Sequence, residues 1–169
     1  MDAENLETFR SSLGGKATLH ETTVEGFVET VTDAIEPPAV GTPLPFERVS
    51  LDDTPVETSF SPHTLERAQT GVTPATLGIA DYGTVTIPSD SAGSELVSLY
   101  PPRHVVVLAA SDVQPDMHTT YETLSQEFAN GTHDTQVLTT GPSATADLGT
   151  LVEGVHGPHE VHIIVLEDT

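Results

Sequence analysis

The sequence contains no cysteine and no tryptophan, and Lys16 is the single lysine among only 5 basic residues. Without cysteine the chain can offer no disulfide, no thiolate zinc site, no thiol nucleophile and no cysteine-ligated iron–sulfur cluster. Scattered cations this few do not form the basic stripe that tracks phosphates, which argues against nucleic acid as a direct partner. An anionic membrane surface is disfavoured for the same reason. No apolar run approaches the roughly 18 residues of a membrane span. The start, Met1-Asp2-Ala3-Glu4, has neither the basic nor the apolar region of a secretory leader. A soluble, cytoplasmic chain is expected.

What the sequence has in excess is acid. Its 26 Asp+Glu against 5 Lys+Arg give a formal charge of −21 over 169 residues. Acid excess with few aromatics can signal disorder. Here, however, apolar runs recur (Val105-Val106-Val107-Leu108, Val161 to Leu166) and the charges are dispersed. The composition describes a folded domain with an acidic surface suited to molar salt, where a Debye length of roughly 3 Å screens self-repulsion. A halophile's cytoplasm is the expected setting. The length suits one domain, which buries about 70% of its surface on folding.

Along the chain, Leu6, Phe9 and Leu13 recur at helical spacing before a stop at Gly14-Gly15. A second helix is predicted from about Thr22, with Val24, Phe27, Val28, Val31 and Ile35 on one face and Pro37-Pro38 at its end. Residues 37–61 read as a proline-rich connection with at most one short strand. Ser61-Pro62 then suits a helix start. Ala75 to Ala80 and Thr84 to Ile87 read as strands around a turn, and Glu95 to Tyr100 alternates in polarity. His104 to Ala110 has the continuous apolar character of a strand buried in a parallel sheet. A helix over Asp116 to Phe128, a strand over Gln136 to Thr139, a short helix over Ser143 to Glu153 and a last strand over Val161 to Leu166 complete an α/β pattern. The organisation expected is a helical segment at 1–36, the connection at 37–61 and an α/β domain at 62–169, forming one compact unit.

Three segments could carry chemistry. Thr140-Gly141-Pro142-Ser143-Ala144-Thr145-Ala146-Asp147 follows a predicted strand and opens a predicted helix, so Gly141 would permit close backbone approach and Ser143 would cap the helix. Such amides would point beyond the strand's carboxyl end, where open α/β sheets bind ligands. An ordinary connecting loop with a serine cap fits the same residues. Asp147, about one turn into that helix, would receive a hydroxyl or a cation. In Gly154-Val155-His156-Gly157-Pro158-His159-Glu160-Val161-His162 the histidine spacing invites a metal, but Gly157-Pro158 breaks any helix that could align the rings, and no metal site is expected. His156, flanked by glycine-rich loop, is the candidate donor or proton shuttle, or else binds its own loop backbone. In Ala80-Asp81-Tyr82-Gly83-Thr84 a carboxylate sits at a turn, which equally describes a plain hairpin. His63, His118 and His133 read as solvated. Neither a dinucleotide fingerprint, a phosphate loop nor an esterase elbow occurs.

At these residues the chain resembles the lactate-utilisation protein C family, the LUD domain. Thr140 to Asp147 with Gly154-Val-His-Gly-Pro158 carries the resemblance, Ala80 to Thr84 matches an upstream segment, and Leu96 to Leu108 matches a leucine-rich run, Pro101, Pro102, His104 and a valine strand. It spans about residues 65–169. Ala144 stands where the family carries a basic residue, and Asp81 where it carries Glu. The resemblance implies a three-layer, mainly parallel α/β fold similar to the sugar-phosphate isomerase and CoA-transferase superfamily. It also implies a role in oxidising L-lactate to pyruvate beside partner subunits that carry iron–sulfur clusters, with no cofactor in this chain. The expected site joins Asp81, Asp147 and His156 as catalytic groups to Gly83, Thr84, Gly141, Ser143, Thr145 and Gly157 around a small carboxylate, with both motif loops at the sheet's carboxyl edge. The alternative is a stand-alone isomerase- or acyl-transfer-like enzyme for a small carboxylate or CoA ester, with Asp81 as base or nucleophile.

Overall fold

The computed structural model describes residues 3–131, 135–147, 150–153 and 156–167. The chain opens with α1 (Ala3–Leu13), whose Leu6, Phe9 and Leu13 are buried as their spacing dictates. β1 (Thr18–Thr22), α2 (Phe27–Ala34), β2 (Ala39–Gly41) and β3 (Val56–Glu57) follow. The short helix α3 (Pro62–Arg67) is capped as predicted: the Ser61 side chain accepts from the Thr64 amide at 3.2 Å, and Pro62 begins the first turn. Next come β4 (Thr70–Pro74), β5 (Leu77–Ile79), a 3-10 turn at Ala80–Tyr82, β6 (Thr84–Pro88), α4 (Ser94–Leu99) and β7 (Arg103–Ala109). The chain continues through β8 (Val113–Gln114), α5 (Met117–Ala129), β9 (Gln136–Thr139), β10 (Ala144–Asp147), β11 (Thr150–Glu153) and β12 (Glu160–Leu166).

The architecture is a three-layer α/β fold around a parallel sheet. Six strands lie in the order β1-β12-β7-β4-β2-β3, and each neighbouring pair is parallel. β7 and β12 are apolar almost throughout because both faces are covered. Val106, Leu108, Ile163 and Val165 pack against Phe9 of α1 and Val85 of β6. Val105, Val107, Ile164 and Leu166 pack against Phe27 and Val31 of α2. A smaller sheet, β8-β5-β6-β9, lies on the first of these faces.

Three differences from the sequence reading have local causes. Residues 18–22, 39–41, 56–57 and 70–74 are strands of the main sheet, all only two to five residues long and three of them containing Thr, Gly or Pro. Length and composition hid them, because their order is fixed by neighbouring strands rather than by their own propensity. The alternating stretch at Glu95 to Tyr100 is helical: α4 buries Val97 against the sheet and leaves Leu96 and Leu99 exposed. The helix expected over Ser143 to Glu153 is instead a two-stranded antiparallel hairpin, with Ala144 opposite Glu153 and Asp147 opposite Thr150. Thr145, Thr150 and Val152 are β-branched and Gly149 weakens any helix through the segment, so the pleated arrangement wins. With that helix gone, neither the serine cap nor the dipole role of Asp147 applies.

Candidate functional site

Two of the three motif segments meet, but at the amino edge of the main sheet rather than its carboxyl edge. His156-Gly157-Pro158 lies immediately before β12, which begins at Glu160. Its position is fixed by Pro102, just before β7, whose carbonyl accepts the His159 amide at 2.7 Å and the Glu160 amide at 3.2 Å. The segment Thr140 to Ser143 leaves β9 and crosses to the same place, where the Ser143 amide donates to the Pro158 carbonyl at 2.9 Å. A Cβ on Gly157 would come 3.0 Å from the Ser143 Cβ, so these loops are in close contact. The expectation of a carboxyl-edge site came from treating each loop as following a strand of one sheet. In fact β9 belongs to the smaller sheet, and its carboxyl end overhangs the amino edge of the larger one.

The loops enclose a cleft of about 300 Å³. Thr140, Ser143 and His156 supply its polar groups, and Leu99 of α4 with Leu138 of β9 form apolar walls. Hydroxyls, loop amides and an exposed imidazole against an apolar wall suit a small molecule with one polar end. The cleft has no cationic side chain among its lining residues.

The third segment reaches this cleft through Thr84, at the start of β6, which pairs along β9. The hydroxyls of Thr84 and Thr140 lie 2.6 Å apart, linking the start of β6 to the loop after β9. Gly83 has φ 61, and a Cβ there would sit 2.7 Å from the Leu13 amide nitrogen, so only glycine lets this turn lie on the end of α1. Asp81 is exposed on the 3-10 turn, its amide donating to the Pro115 carbonyl at 3.2 Å, and it is not among the residues lining the cleft. Thr145 and Asp147 lie on β10, and their side chains fall outside the described residues. Of the expected set, therefore, Gly141, Ser143, His156 and Gly157 line one cleft, Thr84 is attached to it, and Asp81 is not among its lining residues. Among the described residues no group of three His, Cys, Asp or Glu side chains could hold a metal ion.

Several groups stand out that sequence reasoning did not select. His104, at the start of β7, is fully buried, with Nε2 2.8 Å from the Thr73 hydroxyl, and burial pushes its pKa down to about 3. His20 and His162, on adjacent strands, stack with centroids 5.3 Å apart, and their facing ring nitrogens are separated by 3.0 Å. Burial lowers both pKa values, and Arg103 lowers that of His162 further. At the carboxyl edge Phe46, Arg48, Ser111 and Asp112 line a second cleft of about 350 Å³. Arg48 there has φ 65, unusual for a side-chain-bearing residue, and burial raises the Asp112 carboxyl above its ordinary value. Only the position of Asp112 just beyond a buried strand hinted at this cleft in the sequence.

Comparison with known proteins bears on the fold and the family. The chain is 33% identical over 106 residues to a lactate utilization protein C of Bacillus subtilis, covering 61% of this chain and 44% of the relative. It is 35% identical over 106 residues to the protein of the same name from Bacillus licheniformis, with 61% and 44% covered. A further lactate utilization protein C, from Deinococcus radiodurans, is 29% identical over 128 residues, with 75% and 59% covered. The matches thus span about half the length of these curated relatives. A crystal structure of a DUF162 family protein from Deinococcus radiodurans superposes with a TM-score of 0.72 at 20% identity, covering 97% of each chain, which shows a shared fold. The LUD domain model matches residues 10–166, nearly the whole chain, and the protein belongs to the LUD-domain family.

Proposed function

We propose that this protein takes part in lactate utilization, as a cluster-free component in the oxidation of L-lactate to pyruvate beside iron–sulfur partner subunits. The observation that carries the proposal is the meeting of Thr140 to Ser143 with His156 to Pro158 in one cleft, because the residues that relate the chain to its family are those that build its polar wall. A small 2-hydroxy or 2-oxo carboxylate fits this wall. In this reading His156 exchanges a hydrogen bond or a proton with the ligand's hydroxyl or keto oxygen, Thr140 and Ser143 bond its polar end, and Leu99 and Leu138 cover its methyl group; all five residues line the cleft.

Converting lactate to pyruvate releases two electrons and two protons, and a chain with no cysteine has no ligands for a thiolate-bound cluster to receive the electrons. The lack of cysteine fits the proposal that partner subunits carry the acceptor. The test is to purify the tagged protein from its own cells in molar KCl, then measure lactate-dependent reduction of a dye by the recovered assembly. Co-purification of cluster-bearing subunits, with dye reduction that falls when His156 is replaced by alanine, is the predicted result. Recovery of the protein alone, or turnover of a carboxylate or CoA ester by the isolated chain, would contradict it.

A further inference from the structure

We propose that Lys16, the chain's single lysine, is the cation that recognises the ligand's carboxylate in the amino-edge cleft; this rests on reading that cleft as the ligand site. The cleft itself is lined by neutral groups and an imidazole. A carboxylate entering it meets no cationic side chain among the lining residues, and at molar salt only a cation in close contact can supply the countercharge.

The main chain and stem of Lys16 lie against Gly141. A Cβ on Gly141 would come 2.9 Å from the Lys16 Cβ and 3.0 Å from its carbonyl oxygen. Gly141 has φ 107, a conformation that side-chain-bearing residues rarely adopt. Conformation and contact thus both require glycine where the lysine crosses the loop. Upstream, the Lys16 amide donates to the Leu13 carbonyl at 2.8 Å, so the turn after α1 fixes where the stem begins.

The ammonium group has no carboxylate partner among the described residues. Arg10 pairs with Glu7 and Glu21, Arg48 with Glu25, and Arg103 with Glu36 and Glu160. Among the described residues Lys16 has no carboxylate within 4.0 Å, and its ammonium makes one long hydrogen bond, 3.5 Å, to the Ser12 carbonyl. Arg67, at the end of α3, also has no carboxylate partner among the described residues, but it is Lys16 that lies against Gly141. In a protein with 26 acidic side chains, a cation left unpaired beside the cleft is available to a ligand. Its flexible stem starts at the loop that lines the cleft, so rotation about the stem carries Nζ past Gly141 to the ligand's charged end.

Because lysine occurs once, the side chain can be observed singly. Reductive methylation with a ¹³C label preserves its charge and gives a side-chain resonance distinct from that of the terminal amine. Titration with L-lactate and with pyruvate in molar KCl should move that resonance along the calorimetric binding curve. Lys16→Gln should weaken both carboxylates roughly tenfold or more, and Lys16→Arg should restore them to within about threefold. The neutral analogue lactamide should bind wild type and Lys16→Gln alike, a comparison that separates charge recognition from a structural role. If the carboxylates bind and His156→Ala weakens them while Lys16→Gln does not, the role of Lys16 is overturned and the cleft stands. Equal loss for lactamide and lactate in Lys16→Gln would also overturn it. If neither carboxylate binds, the reading of the cleft fails and the role of Lys16 fails with it.

Discussion

Gly141 shows most directly how a single residue holds the cleft together. Its positive φ and its contact with Lys16 each disfavour a methyl group, so Gly141→Ala should destabilise the protein by roughly 1–3 kcal/mol. Denaturant unfolding at fixed salt measures the loss, and an unchanged midpoint would contradict the geometry. The buried histidines make a second prediction at this scale. His104 is held well below its ordinary value of 6.5, at about 3, so the unfolded chain takes up a proton below pH 6.5 that the folded protein refuses until far lower pH. Its contribution is fully present above pH 6.5 and is lost progressively as the pH falls toward 3. At pH 5 this loss amounts to roughly 2 kcal/mol, and the lowered pKa values of His20 and His162 act with the same sign. Unfolding midpoints in molar KCl should therefore drop between pH 8 and pH 5, and His104→Gln should flatten the drop.

Among the elements, α4 deserves a test because it carries Leu99 to the cleft. The helix crosses β4 where Gly71 lies, and a Cβ at that position would come 2.1 Å from the Val97 carbonyl oxygen. Gly71→Ala must displace α4, costing about 1–3 kcal/mol or more and moving one wall of the cleft. Weakened ligand binding together with lowered stability is expected, and a variant as stable as wild type would show that α4 does not pack this closely. The same elements show what the sequence disclosed. α1, α5, β7, β9 and β12 were legible because each carries a full period of its own pattern, as Leu6, Phe9 and Leu13 do in α1. The short strands β1 to β4 and the hairpin of β10 and β11 were not, since pairing with neighbours orders them. The site was legible as motifs and illegible as a place. His156 and Ser143 could be named, whereas the overhang of β9 that brings them together, and Lys16 from a loop more than a hundred residues earlier, depend on tertiary structure.

Over the whole molecule, the net charge makes salt the condition to vary. The −21 net charge is offset locally by a few ion pairs, of which Arg103 makes the most embedded, joining Glu36 after α2 to Glu160 at the start of β12. The remaining repulsion is screened only when the Debye length is short, so the melting temperature should fall continuously as KCl is dialysed from molar to low millimolar. A melting temperature independent of salt would contradict the expectation of a surface suited to molar salt. The molecule also offers two edges to a ligand, and parallel sheets ordinarily use the carboxyl one, where Phe46, Arg48, Ser111 and Asp112 form their own cleft. The central claim is that this protein uses the other edge. Amide chemical shifts followed by NMR while L-lactate or pyruvate is added in molar KCl decide the matter. The account predicts saturable shifts at Thr139, Thr140, Gly141, Ser143 and Gly157, with the carboxyl-edge cleft unmoved; shifts confined to Phe46, Arg48, Ser111 and Asp112, or none at either edge, would contradict it.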